Sequence, residues 1–281
     1  MPEFGKYTKE LKKLISEAGH ILLICHINPD GDAIGAMLAM RRWIMSQGKD
    51  ATMISPNALQ KFLLWMKDVD KVLDFHHNPG EGGRLINEAD LIIMVDFNTT
   101  SRMGKAEQLV ISSDARKVMI DHHPDPGTFA DLIISDVSRS STSELVYFLV
   151  NGMEGTEFSD SDFITAVYVG IITDTGNFEH GYYTGDTMRT VGHLLDMGVD
   201  KERIHDHIFS NFSADRIRLK GFALHSRMVV HPELHTAYIW LTKEDLERFR
   251  HMKGDTEGFA NVLLTMQGIV LSVLFVERTG F

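Results

Sequence analysis

Cysteine is nearly absent from this chain of 281 residues, which has only Cys25. A single thiol excludes an internal disulfide framework and a cysteine-built zinc site, and it fits a reducing compartment. Long apolar stretches are missing too, because no segment reaches the roughly 18 consecutive apolar residues of a membrane span and residues 1–20 lack the apolar core of a signal peptide. We therefore expect a cytoplasmic protein with no membrane partner.

Clusters of lysine and arginine are also absent. The chain has 28 Lys and Arg residues against 39 Asp and Glu residues, which gives a formal net charge of −11. Such a surface repels long polyanions, so long duplex nucleic acid is excluded as a partner. A small phosphorylated ligand stays compatible with this charge, because bound cations reverse the local sign.

Short apolar runs alternate with helical patterns over the first two thirds of the chain. Runs that are apolar on both faces predict a mostly parallel sheet covered by helices, an α/β fold. Residues 228–281 predict strand, strand, helix, strand and strand, a second, smaller α+β domain. Strands are predicted at 21–25, 51–55, 91–96, 117–121 and 131–135, and helices at 6–19, 32–47, 58–67, 105–112, 141–151, 162–173, 186–197, 200–209 and 213–227.

Three predicted strands end in acidic and imidazole side chains. The stretch "ILLICHINPDGD" reaches His26, Asp30 and Asp32, and "LIIMVDFN" reaches Asp96. The third, "KVMIDHH", reaches Asp121, His122 and His123. Because the carboxyl ends of neighbouring parallel strands meet at one crevice, these residues are expected to share a site.

Each residue taken singly has an ordinary structural explanation. An aspartate after a strand is typically a helix N-cap or turn residue, and Asp32 is well placed to cap the helix that follows it. That explanation must hold for three strands at once, however. Carboxylates crowded into one crevice repel each other unless cations or protons neutralise them. The pattern as a whole therefore favours a metal site.

The donor types indicate which metal fits. An oxygen-rich set with a few imidazoles and no thiolate suits manganese or magnesium better than a softer ion. A calcium loop starting at Asp30 is excluded, because its twelfth position is Arg41, where an EF-hand requires a bidentate glutamate.

Four stretches occur in the order "HINPDGDAIGAMLA", "VDFN", "IDHHPDP" and "GIITDTGNF". This combination resembles the DHH phosphoesterases, most closely the bifunctional oligoribonuclease and pAp phosphatases related to the RecJ exonuclease. The resemblance covers nearly the whole chain, and four ordered motifs are far more specific than any one of them. It implies a manganese-dependent phosphoesterase with two ions per site, with magnesium as the alternative cofactor.

The resemblance also implies the ligand sets. His26, Asp30 and Asp96 would hold one ion, and the second would be held by Asp32, Asp96, His122 and Asp174. Asp96 would bridge the two ions, whereas Asp174, in "TDTG", is assigned by the resemblance alone.

Catalytic roles follow from the same resemblance. His123 would face the substrate phosphate, stabilising its charge or donating a proton to the leaving oxygen, and Asp121 would orient a neighbouring imidazole. Residues Ser141 to Ser143 and Arg102 are candidate phosphate neighbours, although helix capping is the commoner role of such serines.

The C-terminal part departs from the family pattern. In this family the second domain carries an Arg-Ser segment and then a "GGGH" stretch that receives the nucleotide end of the substrate. This sequence has the lead-in "KGDTEGFANVLL" but neither segment. We expect a DHH catalytic domain at 1–210, a connecting helix at 211–227 and a partial, incomplete DHH-associated domain at 228–281. Loss of contacts remote from the reacting bond predicts slow or loosely selective turnover.

The leading hypothesis is hydrolysis of phosphate esters of short oligoribonucleotides or of pAp, so that the partner is a small phosphorylated nucleotide or a short oligonucleotide. Within the same superfamily, inorganic pyrophosphatase, exopolyphosphatase and cyclic-dinucleotide phosphodiesterase activities stay open, although "TEGFAN" favours the nucleotide branch. A non-catalytic metal- or nucleotide-binding module is the alternative of another class, because the Arg-Ser and GGGH segments are missing. The oligomeric state is not decided by the sequence, and a homodimer is compatible with it.

Overall fold

The computed structural model describes residues 5–179, 181–252 and 254–277, which divide into two units between His207 and Ile208. The strands of the first unit are β1 (Ile21–Ile24), β2 (Ala51–Ser55), β3 (Val72–Asp74), β4 (Leu91–Val95), β5 (Arg116–Asp121) and β6 (Leu132–Ser135). Its helices are α1 (Gly5–Glu17), α2 (Gly31–Ser46), α3 (Pro79–Glu88), α4 (Glu107–Ser112), α5 (Thr142–Glu154), α6 (Ser161–Asp174), α7 (Gly185–Asp196) and α8 (Lys201–Phe209), in which the division falls.

The six strands described in the first unit form one parallel sheet in the order β3-β2-β1-β4-β5-β6. Every residue of β1 and β4 is buried, because helices cover both faces of the sheet. This confirms the predicted parallel α/β architecture. The strand order reverses between β1 and β4, and such a reversal opens a crevice beyond the carboxyl ends of the two strands.

The second unit contains a smaller, mixed sheet. Its helices are α9 (Ala214–Phe222), α10 (Lys243–Arg248) and α11 (Phe259–Leu263), and its strands are β7 (Met228–His231), β8 (Thr236–Leu241) and β9 (Leu271–Val276). Strand β8 pairs antiparallel with β7 and parallel with β9. The buried core of this unit consists of Leu219, Ala223, Ala237, Ile239, Leu241, Phe259, Leu263 and Ile269.

Two of the predicted elements are wrong. Segment 58–67 contains only a short 3-10 turn, Lys61–Leu63, because the three-residue spacing that buries Leu63 and Met66 is shared by such turns. The segment "FANVLL" is helix α11 rather than a strand, because its buried residues Phe259 and Leu263 lie four positions apart, which is a helical spacing. The β-branched stretch "ITAVYVGIIT" is helical as predicted, within α6.

Helices α2 and α6 approach each other closely because glycines stand where they meet. A Cβ atom at Gly35 would lie 2.5 Å from the carbonyl oxygen of Ala166, and one at Gly170 would lie 2.7 Å from Oδ1 of Asp32, in α2. Helix α2 begins at the carboxyl edge of the sheet and α6 ends beside it. The close approach therefore brings the last residue of α6, Asp174, next to the first turn of α2.

Replacing Gly35 by alanine is expected to lower the free energy of unfolding by about 1–3 kcal/mol, the usual cost of overpacking. The new methyl group would press on a backbone carbonyl, which cannot rotate away as a side chain can. Gly192→Ala is the matched control, because Gly192 lies inside α7 and a Cβ atom there would meet no neighbouring heavy atom within 4 Å. That substitution should stabilise by about 0.4–1 kcal/mol. Urea unfolding of both variants measures the difference, and equal stabilisation by both would contradict the close packing.

None of the helices in the described part of the chain combines the length and the apolar character that crossing a membrane requires.

Candidate metal centre

The carboxyl edge of the parallel sheet collects the acidic and imidazole side chains that the sequence singles out. His26 follows β1, Asp30 and Asp32 lie at the start of α2, and Asp96 follows β4. Asp121 ends β5 and is followed by His122 and His123, and Asp174 ends α6. Short contacts link all of these side chains into one cluster.

His26 presents a bare ring nitrogen to two carboxylates. Its Nε2 lies 3.3 Å from Asp96 Oδ2 and 3.8 Å from Asp30 Oδ1. Its Nδ1 lies 2.7 Å from the carbonyl oxygen of Ile27, to which it donates its proton. The buried Nε2 has no hydrogen-bond partner among the described residues. This tautomer leaves a lone pair on Nε2 for a cation, and the ligand atoms of His26, Asp30 and Asp96 all lie within 4.8 Å of one another.

His122 repeats this arrangement on the other side of Asp96. Its Nε2 lies 3.5 Å from Asp174 Oδ2, 3.8 Å from Asp96 Oδ1 and 3.9 Å from Asp32 Oδ2. Its Nδ1 lies 3.3 Å from the carbonyl oxygen of Arg139. The buried Nε2 is again unpaired within the described ranges. Asp32, His122 and Asp174 therefore form a second group that can hold a cation.

Asp96 stands between the two groups. Its Oδ2 faces His26 and its Oδ1 faces His122, so one carboxylate contributes to both. Its backbone has φ of +67°, in the left-handed region. A non-glycine residue there is strained by about 1–3 kcal/mol, although aspartate and asparagine tolerate it best. The buried Asp96 is thus held in an unfavourable backbone conformation at the point where the two groups meet.

The directions of the pKa shifts indicate that positive charge is favourable in this cluster. Burial raises the pKa of Asp32 well above its usual range, and the carboxylates of Asp96 and Asp174 raise it further. Burial also raises the pKa of Asp174 to about 6. Burial raises the pKa of Asp96, but the imidazoles of His26, His122 and His123 together outweigh burial and lower the Asp96 pKa to about 2.

His26 shows the complementary effect. Burial lowers its pKa, but the carboxylates of Asp30 and Asp96 outweigh burial and raise it to about 10. Protons thus take the place of cations among these carboxylates. Two bare imidazole nitrogens among carboxylate oxygens, with no thiolate, fit a hard or borderline divalent cation such as Mn²⁺ or Mg²⁺.

His123 lies beside the cluster and is oriented by Asp121. Its Nδ1 lies 2.7 Å from Oδ1 of the buried Asp121. This hydrogen bond raises the pKa of His123, while burial works in the opposite direction. Nδ1 also lies 3.8 Å from Asp96 Oδ1, so Asp96, His122 and His123 form a third group of suitable spacing. Because Nδ1 is engaged by Asp121, Nε2 is the atom of His123 left for a substrate.

Asp32 does not cap α2, although helix capping is the ordinary role of an aspartate at such a position. Asp30 caps α2, since its Oδ1 accepts hydrogen bonds from the backbone N–H groups of Asp32 and Ala33. The carboxylate of Asp32 is directed instead at the first residues of α5, which lie more than a hundred positions later in the chain. Sequence spacing carries no signal for such a distant contact.

Helix α5 begins at the cluster, and its first residue, Thr142, has a role that sequence reasoning missed. Ser141 is its N-cap, the commoner role for such a serine, because its Oγ accepts from the N–H of Glu144. Thr142 donates its hydroxyl proton to Asp96 Oδ1 at 2.9 Å. The pattern Ser-x-x-Glu at 141–144 indicates the helix start, but not this contact. The backbone carbonyl of Arg102 accepts from the N–H of Ile27, and a phosphate contact of its side chain stays a prediction.

Comparison with known proteins identifies relatives of this chain. The model of the DHH family, N-terminal domain, matches residues 20–171. The bifunctional oligoribonuclease and PAP phosphatase NrnA of Bacillus subtilis is 25% identical over 272 residues, which cover 96% of this chain and 81% of that protein. The crystal structure of an exopolyphosphatase-related protein from Bacteroides fragilis has a TM-score of 0.93 and 35% identity, covering 98% of this chain and 80% of that one.

A more distant structure shares the fold alone. RecJ from Thermus thermophilus, solved in complex with Mn²⁺, is 11% identical with a TM-score of 0.53, and the match covers 98% of this chain and 46% of that one.

Proposed function

This chain belongs to the DHH family, and from that premise we propose that it is a manganese-dependent phosphoesterase acting on short oligoribonucleotides and on pAp, adenosine 3′,5′-bisphosphate. The observation that carries the proposal is the crevice in which the bare Nε2 atoms of His26 and His122 lie among four carboxylates. The substrate class follows the name of the Bacillus subtilis relative. A surface of net charge −11 favours small substrates over long polyanions.

The proposed ligands fall into two overlapping sets. One cation would be held by His26, Asp30 and Asp96, and a second by Asp32, Asp96, His122 and Asp174. The cations would supply a nucleophilic water of lowered pKa and neutralise the charge on the phosphate. Two imidazole donors favour Mn²⁺ over Mg²⁺, which prefers oxygen ligands.

The protein groups around the ligands fix which nitrogen each histidine offers to a cation and hold Asp30 in place. The carbonyl oxygens of Ile27 and Arg139 accept the Nδ1 protons of His26 and His122, so Nε2 is the nitrogen that each ring would offer to a cation. Asp30 is held by its N-cap hydrogen bonds to α2.

His123 carries the proton in the proposed reaction. Its Nδ1–H donates to Asp121, whose negative charge favours the protonated ring. Nε2 of the protonated ring then donates to the oxygen of the leaving nucleotide, which avoids release of a strongly basic alkoxide.

The proposal is tested by a substrate panel on metal-stripped protein. Treatment with EDTA followed by dialysis should abolish phosphate release from pAp and cleavage of a dinucleotide, and Mn²⁺ should restore both better than Mg²⁺. Pyrophosphate and a cyclic dinucleotide complete the panel. Hydrolysis of pyrophosphate alone would replace the proposal by a pyrophosphatase. Bound Mn²⁺ with no turnover of any substrate would instead indicate a non-catalytic module.

A further inference from the structure

The N-terminus of α5 contacts two carboxylates of the cluster. The backbone N–H groups of Thr142 and Ser143 donate to the two oxygens of Asp32, at 2.6 Å and 2.8 Å. The Thr142 hydroxyl donates to Asp96 Oδ1 at 2.9 Å. Because Ser141 caps the next N–H group, that of Glu144, the first three amides of α5 all have acceptors. A single helical turn therefore orients Asp32, from the second proposed ligand set, and Asp96, which both sets share.

The position of this turn is itself fixed by buried hydrogen bonds. The buried Glu144 accepts from the N–H group of Ser140 at 2.7 Å and from its hydroxyl at 2.9 Å. The hydroxyl of Thr187, in α7, approaches the same oxygen at 3.3 Å. Thr142 is fully buried. The Thr142 hydroxyl is therefore held in one position relative to Asp96, whose backbone is in the left-handed conformation.

The Thr142 hydroxyl leaves the ligand capacity of Asp96 intact. A carboxylate oxygen has two lone pairs, and the hydroxyl occupies one on Oδ1. The remaining lone pair on Oδ1 and both on Oδ2 stay available to cations. A hydrogen bond of this kind fixes the rotation of the carboxylate without replacing a ligand.

We propose that Thr142 is a positioning residue of the metal centre, whose hydroxyl orients the carboxylate of Asp96 between the two groups of ligands. This inference rests on the proposed function, because it assumes that Asp96 binds cations. Supporting residues of this type typically change metal affinity by about 10–100-fold when they are removed.

Thr142→Val tests the inference, because valine keeps the shape of threonine and removes only the hydroxyl group. We expect the Kd for Mn²⁺, measured by calorimetry on the full chain, to rise by about tenfold or more. Thr142→Ser keeps the donor and should restore most of the affinity. Thr190→Val makes the same chemical change at another buried threonine, in α7, and should leave the Kd unchanged.

The melting temperature of each variant without metal separates positioning from folding. A loss of affinity in Thr142→Val with a metal-free melting temperature equal to that of Thr190→Val supports positioning. Should Thr142→Val not fold, Thr142→Cys, with its weak S–H donor, takes its place in the comparison with Thr142→Ser. Wild-type affinity in the folded valine or cysteine variant would overturn the role of Thr142 alone. Failure of the wild-type protein to bind Mn²⁺ would overturn the proposed metal centre as well.

Discussion

Asp96→Asn is expected to abolish manganese-dependent phosphate release from pAp. Asparagine tolerates the left-handed backbone conformation at this position and can still accept the hydrogen bond from Thr142, so the fold should persist. It removes the negative charge that lies between His26 and His122. Because Asp96 is proposed to bind both cations, the loss of activity should exceed the roughly 100-fold that removal of a mere supporting residue can cause.

Two measurements check this expectation. Phosphate release and the Kd for Mn²⁺ should both deteriorate in Asp96→Asn. Asp114→Asn, an exposed substitution before β5 at the opposite edge of the sheet, should change neither. If Asp96→Asn still released phosphate in the presence of Mn²⁺, the proposal that Asp96 is a ligand of both cations would be wrong.

His123→Asn is expected to reduce hydrolysis of pAp by about 10²–10⁴-fold, the usual contribution of a positioned proton donor. The reduction should be much smaller for p-nitrophenyl phosphate, because nitrophenolate leaves without needing a proton. The affinity for Mn²⁺ should stay near the wild-type value, since Nδ1 of His123 is engaged by Asp121 rather than by a cation.

The comparison of substrates distinguishes the two roles that the geometry allows His123. Equal losses on both substrates together with weaker Mn²⁺ binding would assign His123 to the third possible ligand group, with Asp96 and His122, instead of to proton transfer. His20→Asn, which alters an exposed histidine before β1, controls for a general effect of losing an imidazole.

Much of the cluster could be predicted from the sequence because parallel strands end at one edge. That rule placed Asp96 with His26 and with His122, although these residues are far apart in the chain. Asp174 could not be found in this way. It ends a helix rather than a strand, and its place depends on the close packing of α6 against α2 at Gly35 and Gly170. Only the resemblance to the DHH phosphoesterases assigned it.

The contacts that could not be predicted from the sequence are those that depend on tertiary packing. The bond from Thr142 to Asp96 joins residues 46 positions apart and leaves no periodicity in the sequence. Strand β3 was missed because three residues are too few to show a periodic pattern. Helix α3 was missed because its three glycines argue against a helix. The structure explains one of them, since Gly82 packs beside Phe75 where a larger residue would not fit.

The six proposed ligands come from the ends of β1, β4, β5, α2 and α6, segments that separate widely when the chain unfolds. Two ions held by these ligands would bind the native state and not the denatured ensemble. By mass action, the first unit would then gain about 2.7 kcal/mol of stability for each site when the free ion reaches 100 times the Kd of that site. The metal centre would in that case also hold these segments together, so the concentration of the ion would determine the stability of the fold as well as the rate of turnover.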